Sequence, residues 1–200
     1  MSKTLHLKIT LLRSKPLIWR AFKLTDDYRF DRFHQVLQIV MGWNNSRLHD
    51  FKIKGREIGM VVDHYIDEFP DLEDETKIYL RDVELNEKDT FIYRYDFGDC
   101  WEHELSLEHI MDTKLIYPEC TDGTRACPPD DSGGVWGYEN LLTILKDIKH
   151  PEYDDYINWL PQGFDPAHFS LDQINKELIK FGTWHRKYPR KKSTPWHRLR

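Results

Sequence analysis

Residues 90–108 read TFIYRYDFGDCWEHELSLE, and their alternation decides how the chain folds. Phe91, Tyr93, Tyr95 and Phe97 recur at every second position, with Ile92, Arg94 and Asp96 between them. Trp101, His103, Leu105 and Leu107 alternate in turn with Glu102, Glu104, Ser106 and Glu108. A period of two marks half-buried strands, and Gly98-Asp99 supplies turn chemistry between them. A two-residue loop at 98–99 would set Tyr95 opposite Glu102 and Tyr93 opposite Glu104, mixing carboxylates into the aromatic face. A three-residue loop, Gly98-Asp99-Cys100, pairs Phe97 with Trp101, Tyr95 with His103, Tyr93 with Leu105 and Phe91 with Leu107. A slip of one residue turns every side chain over, so the buried face selects an odd loop of three residues, or of five in the same register. The opposite face then sets Arg94 against Glu104, which is favourable, and Asp96 against Glu102 beside Asp99, which is not. A neighbouring Arg, a bound cation or a raised pKa would relieve that repulsion; so would fanning of the acids into water at the hairpin tip.

The flanking chain supplies the rest of an α+β domain. Leu5, Leu7, Ile9 and Leu11 alternate as a strand, Ser14-Lys15-Pro16 turns, and Leu17–Leu24 returns carrying Trp19-Arg20. Phe30, Phe33, Leu37, Val40 and Met41 fall at helical spacing, with Asp26-Asp27 before them and Gly42 after, which predicts a helix over 30–41. His34 lies within it and reads as a satisfied structural residue. Leu48, Phe51 and Ile53 predict a strand. Residues 63–75 hold seven acids and Pro70 and read as a solvated loop or short irregular helix, without calcium-loop spacing. Lys77–Leu80 reads as a further short strand. Residues 117–137 read as loop. Helical stripes follow from Tyr138 to Ile148, from Pro151 to Leu160, and from a Ser170 cap through Leu171, Ile174, Leu178 and Phe181. The expectation is one domain over residues 1–183, an antiparallel sheet with helices packed on one face, and a basic, flexible tail over 184–200.

Several of these segments together resemble the plasmid pRiA4b Orf-three-like family. The resemblance is carried by Tyr93-x-Tyr95-Asp96-Phe97-Gly98-Asp99-x-Trp101-x-His103-x-Leu105, Pro16-Leu17-Ile18-Trp19-Arg20 and Phe33-His34-Gln35-Val36 running to Gly42-Trp43. It continues through Cys127-Pro128-Pro129-Asp130-Asp131, Gly133-Gly134 and Gly137-Tyr138 to Phe164-Asp165-Pro166 and Phe169. It spans roughly residues 4–180. One departure is Cys100, where the family is expected to carry an acidic or polar residue. The resemblance implies a fold and an association with mobile elements, and no assigned reaction.

Composition narrows the function classes. Trp, Tyr and Phe number 7, 10 and 10, and 40% of the 200 residues are hydrophobic, as a globular core requires. No apolar run approaches the roughly 20 residues of a membrane helix, and MSKTLHLKIT lacks a signal-peptide core; the expected location is cytoplasmic, with no membrane partner. Three cysteines do not make a disulfide framework and read as thiols or ligands. Residues 184–200 hold seven Lys/Arg and no acid, whereas the rest holds 22 basic and 34 acidic residues, a charge of −12. That acidic body argues against broad nucleic-acid binding by the domain, while basic residues interleaved with aromatics in the tail are compatible with nucleic acid.

Candidate chemistry gathers around the hairpin. The ligand-binding candidates are Arg20, Tyr95, Asp96, Asp99, Trp101, Glu102, His103, Asp130 and Asp131, with Arg20 either an anion contact or a surface or carboxylate-paired Arg. The metal candidates are Asp96, Asp99, Glu102, Cys120 and Cys127, for a divalent cation such as zinc. Thiolate ligands would suit zinc, but Cys100-x2-His103 and Cys120-x6-Cys127 are not zinc-finger spacings; the carboxylates would suit a harder ion. Asp131-Ser132-Gly133-Gly134 is similar to a serine-protease nucleophile loop, but lacks an upstream His motif. No Gly-Lys-Ser/Thr follows Gly133-Gly134, so those glycines read as turn formers rather than a phosphate cradle. The leading expectation is a non-enzymatic accessory or binding protein; the alternatives are a metal-dependent hydrolase and a nucleic-acid binder using the tail.

Overall fold

The computed structural model describes residues 2–61, 71–113 and 115–188. The chain forms β1 (Thr4–Leu11), β2 (Trp19–Thr25), α1 (Phe30–Met41), β3 (His49–Ile53), β4 (Arg56–Gly59), β5 (Leu72–Asp74), β6 (Thr90–Tyr95), β7 (Trp101–Met111), β8 (Glu119–Thr124), α2 (Gly134–Ile144), α3 (Tyr153–Trp159) and α4 (Leu171–Lys187). The strands make one sheet in the order β5-β4-β3-β6-β7-β1-β2-β8, antiparallel except between β4 and β5. The inner face carries the alternating apolar positions read from sequence: Leu5, Leu7, Ile9 and Leu11 of β1, Phe91, Tyr93 and Tyr95 of β6, and Trp101, His103, Leu105 and Leu107 of β7. On the other face charges pair across strands, Arg94 with Asp50 and Glu57, and Lys52 with Glu57.

Helix α1 packs on the inner face and is in turn covered by α4, so all its residues except Ile39 are buried. A helix apolar on one stripe would need only one cover. Here the second face is built of Asp31, Arg32, His34, Gln35 and Gln38, and each has partners inside the protein. Gly42 ends α1 in the left-handed conformation (φ 99°), its N–H donating to the Gln38 carbonyl at 2.9 Å, as the stop signal predicted. Ser170 caps α4, accepting from the Gln173 N–H.

The central hairpin keeps its facing but not its predicted pairs. Tyr95 lies opposite Trp101, Tyr93 opposite His103, Phe91 opposite Leu105, and Arg94 opposite Glu102. The loop is the five residues 96–100, so the register is displaced by two from the three-residue pairing. A shift of two preserves the buried face, which is why side-chain alternation alone does not separate the options. Asp96 and Cys100 take left-handed conformations (φ 57° and 54°), and the Asp96 carboxylate accepts from the Gly98 N–H. Those local bonds favour the longer loop, and Phe97 leaves the core to become largely exposed. The predicted clash of Asp96 with Glu102 therefore does not arise.

Other boundaries also move. Residues 77–80 are not a strand: Tyr79 makes an isolated bridge with Arg29, and Leu80–Val83 is a 3-10 turn. Strand β8 lies inside the segment read as loop, and β5 inside the acidic stretch, whose residues 63–70 lie outside the described ones. The tail expected from 184 starts inside α4: Trp184 covers the Arg32 guanidinium at 4.3 Å and His185 stacks on Tyr28 at 4.5 Å. Residues 189–200, which carry most of the basic charge, lie outside the described residues. Among the described residues no helix is long and apolar enough to cross a membrane.

Candidate functional site

Two histidines meet between α1 and the sheet, and a third, His103, lies on the other side of Tyr93. His34 (α1) and His49 (β3) stack face to face, with ring centroids 3.3 Å apart and planes 3° from parallel. The hydrogen bonds define the state of His34. Gln38 Nε2 donates to the Tyr93 hydroxyl (2.8 Å), so that hydroxyl donates in turn to His34 Nδ1 (2.8 Å). His34 Nε2–H then donates to Asn45 Oδ1 (2.6 Å), and the Asn45 N–H closes the ring on Gln38 Oε1 (2.7 Å). Every member is paired with His34 neutral, and burial beside His49 holds its pKa well below the ordinary value. His49 Nε2 meets the buried Glu75 carboxylate at 2.6 Å. His103 accepts from Trp43 Nε1 (3.4 Å), and its burial brings the pKa down to about 4. His34 is a satisfied structural residue, as expected from sequence, but it is not a lone one.

This network anchors the segment that follows α1, Trp43–Arg47, from within. Trp43 packs against Trp101 (5.2 Å) and Tyr95 (5.1 Å), whose hydroxyl accepts from the Ser46 N–H. Burial raises the Tyr95 pKa to about 12. Outside this floor lies an acidic rim. Arg47 contacts Asp96 (3.4 Å) and pairs with Asp131, Asn44 Nδ2 donates to Asp130 Oδ2 (2.9 Å), and Asp99 Oδ2 accepts from the Gly133 N–H (3.2 Å). Gly133 and Gly134 are both left-handed (φ 81° and 68°), and a Cβ on Gly134 would fall 2.5 Å from the Asp99 carbonyl oxygen. Glycine is therefore what lets α2 start against the hairpin tip.

Beside the rim runs a groove of about 510 Å³ between the C-terminal half of α1, the 126–130 segment, the 161–170 segment and α4. Gln38, Asn44, Asn45, Cys127, Asp130 and Phe164 are among its walls. Asp130 Oδ2 is held by Asn44, whereas Oδ1 is shielded from water and receives no hydrogen bond. Burial raises the Asp130 pKa. Cys127 lines the groove as a thiol whose pKa burial lifts well above the ordinary value.

The remaining sequence candidates separate. Arg20 is buried rather than a surface or carboxylate-paired residue; its guanidinium donates to the carbonyls of Val40, Trp19, Thr124 and Arg125 at 2.6–2.8 Å and lies over Phe169. It thereby ties α1 to β2 and β8. Glu102 pairs with Arg13 at the β1–β2 turn, away from the partners of Asp96 and Asp99. Cys120 sits buried in β8, its thiol pKa pushed up to about 11 by burial. The five metal candidates are thus not brought together, and among the described residues no group of three or more His, Cys, Asp or Glu side chains is arranged to hold a metal ion. Sequence reading missed Gln38, Asn44, Asn45, Arg47, His49 and Glu75. The available signal was the polar run after Gly42-Trp43, which marks only a loop until its interior partners are known.

An eight-stranded sheet covering a doubly buried helix, with a groove at the helix's C-terminal end, defines the class structurally: an α+β single-domain protein. The chain belongs to the plasmid pRiA4b ORF-3-like protein family, whose model matches residues 3–173. It is 30% identical over 194 residues to the uncharacterized protein y4hQ of Sinorhizobium fredii (strain NBRC 101917 / NGR234), covering 96% of this chain and 99% of that one. It also resembles the crystal structure of MM3350, a protein of unknown function from Methanosarcina mazei Go1. That match has a TM-score of 0.76 and 38% identity, and covers 86% of this chain and 97% of the other.

Proposed function

We propose that this protein is a non-enzymatic binding module whose ligand occupies the groove along the C-terminal half of α1. The observation that carries this reading is the groove itself: its walls mix apolar side chains with polar ones, among them Gln38 and Asn45, held in place by the hydrogen-bond ring around His34. Pre-organised clefts of this size are the usual form of small-ligand sites. Asp130 and Cys127 form part of the wall, Tyr95 and Trp101 support Trp43 behind it, and Asp96, Asp99 and Asp131 make the rim. The protonated state of the Cys127 thiol speaks against a thiolate nucleophile there. An accessory role beside mobile elements is supported by the plasmid origin in the family's description.

The test is a heteronuclear NMR titration of the protein with pools of small polar metabolites and short peptides. Shifts confined to Asn44, Asn45, Gln38 and Ala126, and lost when Ile39→Trp fills the groove, are the expected result. Shifts that persist in the filled variant would place binding elsewhere, and turnover of a bound compound would overturn the non-enzymatic reading.

A further inference from the structure

Resting on the groove as the binding site, we infer that its ligand is an extended peptide segment, held by its backbone through the side-chain amides of Asn44 and Asn45. The orientation of both amides is fixed from behind. The Asn45 N–H donates to Gln38 Oε1, which turns Gln38 Nε2 onto the Tyr93 hydroxyl, the hydroxyl onto His34 Nδ1, and His34 Nε2–H onto Asn45 Oδ1. Asn45 Nδ2 is the end left over; among the described residues it has no partner, and it is not shielded from water. Asn44 is fixed the opposite way. Its Nδ2 donates to Asp130 Oδ2, which leaves the Oδ1 acceptor, on an exposed side chain, unpaired among the described residues. Consecutive residues of one wall thus offer a free donor and a free acceptor, both neutral.

The backbone of one extended residue satisfies such a pair, because its N–H and C=O point to the same side. The molecule makes this recognition once within itself. Asn175 of α4 accepts from the Cys120 N–H at 2.8 Å and donates to the Cys120 carbonyl at 2.9 Å, gripping one residue of the edge strand β8. The groove also has the length of a chain segment. Its wall follows α1 from Gln35 to Met41, about 9 Å at 1.5 Å per residue, and continues through Gly42 to Asn45. That is room for about three or four residues of extended peptide. Ile39, Pro128, Phe164 and Ile174 supply apolar flanks for alternate side chains. The charged groups of the wall are engaged elsewhere: Arg20 on four carbonyls, Glu177 with Lys180, and Asp130 with Asn44. A polyanion is disfavoured by the −12 charge of residues 1–183.

The experiment titrates the full chain with a pool of uncharged pentapeptides, acetylated and amidated at their ends, and separately with the same pool N-methylated along the backbone. The side-chain amides of Asn44 and Asn45 are followed by NMR. The unmethylated pool is expected to shift both amides, and the methylated pool to need about tenfold more peptide for the same shift. Added salt should leave the response unchanged, as befits neutral partners. Asn45→Asp keeps the acceptor for His34 and removes the free donor; it should weaken binding about tenfold while the unfolding midpoint shows the variant folded. Equal binding of the two pools, or undiminished binding by Asn45→Asp, would overturn the peptide-backbone inference and leave the groove reading standing. If small polar metabolites or a single-stranded oligonucleotide shift these amides and the peptides do not, the peptide inference fails alone. If none of these probes shifts them, both readings fail.

Discussion

Two polar regions lie a few residues apart in this molecule and are built on opposite rules. Under α1, His34, Gln38, Tyr93 and Asn45 close a ring of neutral hydrogen bonds in which each group has its partner. At the rim, Asp96, Asp130 and Asp131 share one arginine, Asp99 accepts from the Gly133 N–H, and Asp130 is left with an unpaired oxygen. A saturated network specifies a packing, because any rearrangement leaves a buried group unsatisfied. An unsaturated one specifies less, leaving a shielded carboxylate oxygen without a donor. Asn44 and Asn45 join the two, one facing each region.

The contrast breaks most visibly at the interior. Replacing Arg20 by Met should cost the most, about 4 kcal/mol in urea unfolding, because four backbone carbonyls lose their donor at once. A loss below about 1 kcal/mol would mean that those carbonyls are satisfied by water. Tyr93→Phe should follow at about 2–3 kcal/mol, since both His34 Nδ1 and Gln38 Nε2 lose the hydroxyl between them. A neutral outcome there would show that the ring is not a structural unit.

Acid should weaken the interior in a defined window. The folded His103 imidazole holds its proton less tightly (pKa about 4) than the ordinary 6.5 of the unfolded chain. The unfolded state therefore takes up protons first, and stability falls as pH drops from 6.5 towards 4. The difference corresponds to about 3 kcal/mol for His103, and His34 acts in the same direction. Urea midpoints at pH 7 and pH 4.5 should differ accordingly, and His103→Gln should flatten the dependence. A midpoint insensitive to pH in this range would contradict neutral burial. The smallest effect belongs to the rim: Arg47→Ala should leave the unfolding midpoint unchanged, as expected for an exposed ion-pair partner. Asp130→Asn should unfold no earlier than the parent, because it removes a carboxylate that burial penalises.

Much of the frame was legible in residues alone. Period-two alternation in β1, β6 and β7 marked the inner face, and the apolar spacing with Gly42 marked α1 at both ends. These are local signals, set by side-chain direction and backbone geometry. The hairpin pairing was not legible, because three- and five-residue loops present the same face and only the bonds within residues 96–100 separate them. Strand β8 was hidden for a related reason: ECTDGT has little alternation, and its pairing with β2 makes it a strand.

Thus the sequence by itself determined the fold class, the buried face of the sheet and the place of the acidic hairpin tip, because each follows from neighbours along the chain. Tertiary structure alone decided that Glu102 leaves the acidic cluster, that Arg20 turns inward, and that His34 meets His49. It also decided that Asp130 arrives across the chain to face Asn44 with one oxygen unpaired. Those are contacts between distant segments, and no local period encodes which of them will meet.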